Sequence, residues 1–287
     1  MRLDDEQESS NYEVRSGGGG GGFGGIPLGR GGLGCGSLVV ILILSWVMGV
    51  NPLQLIGAVG GGSSVEQPQI QTQPGSGGSE LSETQRRSLK ILGSTERVWG
   101  DIFKREGSNY APTTLVFYQG GTQAGCGFAD AAAGPFYCPT DTRIYLDTAF
   151  FDELASKFGA PGDFAQAYVI AHEVGHHVQD LTGVLAKARR MQSGVSEAQA
   201  NAVQVKVELQ ADCYAGVWAA NDKNLLEAGD AEAGLRAAAA VGDDTLQRQA
   251  QGQVVPEGFT HGSAADRQKW LEVGLSTGDP AKCDTFR

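Results

Sequence analysis

From Ser82 onward, apolar side chains recur at spacings that separate helices from strands. Leu89, Leu92, Val98, Trp99, Ile102 and Phe103 fall three, four and six or seven residues apart, which predicts a helix over 82–106. Pro112 then precedes a β-branched and aromatic run, 113–118, that reads as a strand. A glycine-rich loop bracketed by cysteines follows over 120–139, and 143–147 alternates as a second short strand. Helical spacing returns at about 149–158, 163–181, 196–220, 223–240 and 263–273. No internal repeat is visible. One helix, a few short strands and a run of helices describe an α+β domain that is mainly helical.

The first third of the chain has a different texture. Residues 1–36 include a stretch, 16–25, that is almost all glycine and cannot bury enough apolar surface to offset its ordering entropy, so 1–36 is expected to be disordered. Residues 37–59 are apolar, and no charge falls between Arg30 and Glu66. That length suffices to cross a hydrocarbon core of about 30 Å as one transmembrane helix. A cleaved signal peptide is the alternative, but the leader is long and acidic and Ala58-Val59-Gly60 is a weak cleavage site. Arg30 on one flank and Glu66 on the other favour a cytoplasmic N-terminus. Residues 60–81, rich in Gly, Ser, Gln and Pro, form a flexible linker to the folded domain, 82–287.

Charge and cysteine usage narrow the function. The 287-residue chain carries a net charge of −11 and has no basic stripe, which argues against nucleic acid as a partner. Of five cysteines, Cys35 precedes the apolar run and Cys126, Cys138, Cys213 and Cys283 follow it. An even set beyond the run fits two disulfides in an oxidising compartment, with Cys126–Cys138 and Cys213–Cys283 preferred among three possible pairings. Buried free thiols are the alternative.

The chemistry concentrates in His172-Glu173-Val174-Gly175-His176. Residues four apart share a helix face, so two imidazoles can converge on one Zn²⁺ while Glu173 reaches a metal-activated water as general base. A catalytic site needs a third protein ligand. A histidine six residues after His176 would make the metzincin pattern, but Thr182 stands there, and Asp180 would line three ligands along one helix without wrapping the ion. Glu208 is the better candidate. It lies in a helix opened by Ser196 with a capping-box pattern to Gln199, and Asp212 one turn on can hydrogen-bond the far nitrogen of a ligating histidine. Standing alone, Glu208 reads as an exposed helical glutamate; the histidine motif shifts that reading. His177 points off the ligand face and is expected to pack or hydrogen-bond.

His-Glu-x-x-His followed by Glu-x-x-x-Asp resembles the gluzincin signature. The fuller strings His172–Gln179, Glu208–Trp218 and Phe259-Thr260-His261-Gly262-Ser263, with Phe136-Tyr137-Cys138-Pro139 and Ile144-Tyr145-Leu146-Asp147, resemble the bacterial neutral zinc metallopeptidase family over nearly the whole chain. The resemblance implies a zincin-like fold, zinc held by His172, His176 and Glu208, Glu173 as base and Asp212 behind a ligand. His261 is the only distant histidine left for an oxyanion-stabilising role; a helix-start histidine or a fourth ligand are its other readings. The strand 143–147 is expected to edge the metal cleft and hold an extended peptide by main-chain pairing. The expected protein is a membrane-anchored zinc endopeptidase acting on proteins or peptides. It would cross the bacterial cytoplasmic membrane once, with its domain on the extracytoplasmic side. A catalytically silent zinc-binding envelope scaffold is the alternative.

Overall fold

The computed structural model describes residues 1–15, 80–222 and 224–287. The expected anchor over 37–59, nearly all of the linker and Cys35 lie outside the described residues. Among the described residues no helix is long and apolar enough to cross a membrane.

Helix α1, Glu83–Arg105, starts where the sequence signals it. The Ser82 hydroxyl accepts from the Gln85 backbone N–H, and the Gln85 side chain accepts from the Ser82 N–H, so two donors at the helix start are satisfied reciprocally. Its apolar stripe, including Leu89, Leu92, Trp99 and Ile102, is buried. Each such side chain contributes roughly 1.5–3 kcal/mol over its exposed state.

Six short strands lie among the described residues: β1 (Tyr12–Val14), β2 (Thr114–Phe117), β3 (Gly121–Ala124), β4 (Gly127–Asp130), β5 (Phe136–Cys138) and β6 (Arg143–Leu146). β3 and β4 form a hairpin. The others form one sheet in the order β1-β2-β6-β5, with β1, β2 and β6 parallel and β5 antiparallel to β6. Two expectations are corrected here. The strand in 143–147 is interior, between β2 and β5, and the edges are β1 and β5; its burial on both faces, with Ile144, Tyr145 and Leu146 all inaccessible, is the sign of an inner strand. Residues 1–15 are not disordered. Only the glycine tract begins at Ser16; before it, Tyr12–Val14 has the β-branched and aromatic content to add a strand to the β2 edge.

The helices are α2 (Ala149–Ser156), α3 (Asp163–Leu181), α4 (Val184–Gln192), α5 (Glu197–Asn221), α6 (Asp230–Ala240), α7 (Asp243–Gln251) and α8 (Ala264–Thr277). Gly183, at φ 78°, ends α3 and allows α4 to begin at once. Asp163 is the first residue of α3, after Gly162 at the cap; there its charge faces the helix dipole and pairs with Arg87. The expected helix over 223–240 shortens to α6, because Gly229 is left-handed and the Asp230 side chain accepts from the Glu227 N–H, making a turn before the helix. Ser196 caps α5 through the expected box with Gln199.

α3 and α5 cross in the core, where Phe164 stacks on the fully buried Trp218. α8 lies against α5 at backbone distance: a Cβ added at Gly274 would sit 2.0 Å from the Cys213 carbonyl oxygen. The disulfides Cys126–Cys138 and Cys213–Cys283 are both present, the second tying the C-terminal tail to α5. Because neither backbone at the α5–α8 crossing can retreat without moving a whole helix, Gly274→Ala is expected to cost about 1–3 kcal/mol, read as a lowered thermal midpoint.

Candidate metal centre

The two histidines stand one turn apart on α3, and Glu208 faces them from α5. The His172 Nε2 lies 3.2 Å from the Glu208 Oε2, and the His176 Nε2 lies 3.6 Å from the same oxygen. Three donor atoms, one from each residue, fall within 4.8 Å of one another. Ligands about 2.0–2.1 Å from a tetrahedral Zn²⁺ stand roughly 3.4 Å apart, so the spacing fits the ion, and imidazole with carboxylate is a donor set zinc accepts. His172 and Glu208 are buried at 7% and 6% exposure, too dry for charged groups that have no further purpose.

Each ligand has a partner that aims it. The His172 Nδ1 lies 2.8 Å from Asp212 Oδ1, so its N–H donates to that carboxylate, and loss of the Nε2 proton would turn a lone pair toward Glu208. The His176 Nδ1 lies 2.9 Å from the Gln179 Oε1. The Gln179 amide nitrogen donates to the Val207 carbonyl and to Gln210, which fixes its oxygen toward the histidine. The Gln204 amide donates to Glu208 Oε1 at 2.9 Å, leaving Oε2 for the centre.

Asp212 is wholly buried and accepts four hydrogen bonds. Its Oδ1 takes the His172 N–H, the Tyr168 hydroxyl at 2.5 Å and Arg267 Nη2 at 2.9 Å, while its Oδ2 takes Arg267 Nε at 2.9 Å. Arg267 also donates to the Tyr168 oxygen. Burial pushes the Asp212 carboxyl up, but the Arg267 and His172 charges and hydrogen bonds outweigh it and hold it below the usual range. Burial likewise opposes ionisation of Glu208, yet His176 and the hydrogen bonds from both histidines hold it well below. Burial alone would lower His172; Asp212 and Glu208 overcome that and hold it up to about 10 before a metal binds.

Glu173 differs from these two carboxylates. It is 8% exposed, and burial holds its carboxyl above the ordinary range despite the neighbouring histidines. The Tyr137 backbone on β5 lies close to it, so the edge strand runs beside this carboxyl. Thus His172, Glu173, His176, Glu208 and Asp212 come together as the sequence indicated. His177 takes the packing role: its Nε2 donates to the Ala111 carbonyl at 2.6 Å, and Nδ1 lies 3.1 Å from the Tyr137 hydroxyl. His261 adds no nitrogen to the converging set, but it lies close enough to Glu208 for their charges to couple. Asp243 holds it from behind: one Asp243 oxygen accepts the backbone N–H groups of Thr260, His261 and Gly262, and the other lies 3.3 Å from the His261 Nδ1.

Sequence reasoning missed Arg267, Tyr168, Gln179 and Asp243. Gln179 and Tyr168 sit at i+3 and i−4 of the two ligands on the same helix, so helical spacing was a usable signal. Arg267 lies 55 residues from Asp212, and nothing local marks it.

Comparison with known proteins gives the same direction. The model of the family described as "Putative neutral zinc metallopeptidase" matches residues 1–286. The chain is 45% identical to the uncharacterized protein YpfJ of Escherichia coli, over 100% of this chain and 99% of that protein. It is 44% identical to an uncharacterized protein of Mycobacterium tuberculosis, over 70% of each. No solved structure matches.

Two outcomes follow from the buried charges. Arg267→Leu leaves Asp212 ionised and under-paired in a dry site, and unfolding by denaturant should read a loss of about 3–5 kcal/mol. Zinc must displace the His172 proton, which is held until about pH 10. Apparent zinc affinity, measured by chelator competition, should therefore rise with pH from 6 toward 10 and fall as acid returns the proton.

Proposed function

The chain belongs to this neutral zinc metallopeptidase family, and on that premise we propose that it is a zinc-dependent endopeptidase with a zincin-like active site. One observation carries the reading: His172, His176 and Glu208 bring their donor atoms to one point, and a buried carboxylate, Glu173, stands beside it. A purely structural zinc site has no use for that base.

Zinc held there supplies Lewis acidity toward a scissile carbonyl and makes a water easier to deprotonate near neutral pH. The protein supplies the rest. Glu173, held in a dry wall, takes the water proton and later delivers it to the leaving amine. His261, held by Asp243 and close to Glu208, stabilises the oxyanion that develops on the carbonyl. Asp212 and Gln179 keep the two imidazoles in the tautomer and orientation that ligation needs.

The peptide would lie along β5. This strand has no partner on its outer side among the described residues, and its Tyr137 main chain reaches Glu173, so a substrate strand paired to it would pass the centre. The two disulfides support an extracytoplasmic location, where oxidised cysteines persist.

Glu173→Gln keeps the shape and removes the base. Turnover of a peptide library should fall roughly 10²–10⁴-fold with bound zinc unchanged by metal analysis. Turnover equal to the parent protein would sink the assignment of Glu173 and leave a zinc-binding scaffold.

A further inference from the structure

The N-terminal fifteen residues are built into the domain that carries the metal centre. β1 adds to β2 in parallel, with Tyr12 opposite Leu115 and Val14 opposite Phe117. The backbone continues the ladder at both ends, as the Leu115 N–H donates to the Asn11 carbonyl and the Arg15 N–H to that of Phe117. Side chains lock the same path. The Ser9 hydroxyl and the Asn11 amide both donate to Glu96 on α1, at 2.8 Å each, and Ser9 is only 6% exposed. Glu13 pairs with Arg143 on β6 at 3.0 Å.

Helix α1 carries the imprint of this segment. Gly93 lies mid-helix, where glycine costs about 1 kcal/mol relative to alanine. The close approach there is backbone: an added Cβ would sit 2.3 Å from the Gln7 carbonyl oxygen. The N-terminal segment is thus fitted to the domain surface from both sides, by its own hydrogen bonds and by the groove left for it.

This contact constrains how the protein meets a lipid surface. Neighbouring strands lie about 4.8 Å apart, whereas one passage through hydrocarbon separates two flanks by about 30 Å. A strand on one side cannot pair with a strand on the other. We propose that residues 1–15 and the metal-centre domain lie on the same side of the membrane. Arg15 and Glu80, the described residues on either side of the apolar run in sequence, therefore lie on that same side. A single-pass anchor with a cytoplasmic N-terminus, and a signal peptide that leaves residues 1–15 behind, are both incompatible with the sheet. The conclusion holds equally if β1 pairs with a second copy, and it does not depend on peptidase activity.

The test uses the full-length chain in bacterial cells, with Cys35→Ser as background and single cysteines introduced by Asp5→Cys or Glu272→Cys. Both positions are exposed and outside the metal centre. Spheroplasts are treated with a membrane-impermeant maleimide before and after lysis. The two sites should label alike, with a ratio near one in either condition. Labelling of both before lysis supports the proposal and the extracytoplasmic location together. Labelling of both only after lysis supports the proposal and removes that location. Labelling of one before lysis and the other only after it overturns the proposal.

Discussion

Asp212 is the group on which the centre depends. A carboxylate with no solvent exposure is expensive to ionise, and an isolated one would keep its proton. Here four hydrogen bonds from two other helices surround it: those of His172 and Tyr168 from α3, and the Arg267 fork from α8. The same contacts that make the charge tolerable set the register of α3 against α5 and α8. Catalytic geometry and helix packing are therefore one problem with one solution, and the close backbone contact at Gly274 brings Arg267 within reach.

Around that point the protein separates two kinds of carboxylate. Asp212 and Glu208 are held ionised by opposite charge and hydrogen bonds. Glu173, one residue from His172, is pushed the other way by burial. Three acids on two adjoining helices thus take different protonation tendencies from their surroundings rather than from their residue type.

The N-terminal segment brings a second constraint. Its strand covers β2 and becomes one edge of the sheet, with β5 at the opposite edge beside Glu173. The same strand joins the question of membrane topology to the fold, because hydrogen-bonded strands share a compartment.

The sequence by itself determined what local spacing controls. Helical periodicity gave α1, α3 and α5, the capping boxes at Ser82 and Ser196 marked two helix starts, and the i, i+4 rule put His172 with His176 and Glu208 with Asp212. Those signals act within one or two turns, so they can be read from the chain. Tertiary structure alone decided the rest. It made 143–147 an inner strand, added Tyr12–Val14 to the sheet, and brought Arg267 to Asp212 and Asp243 to His261. Residues that far apart meet only because helices and strands pack in one arrangement, and neither a strand's neighbours nor a buried charge's partner is encoded in the residues beside it.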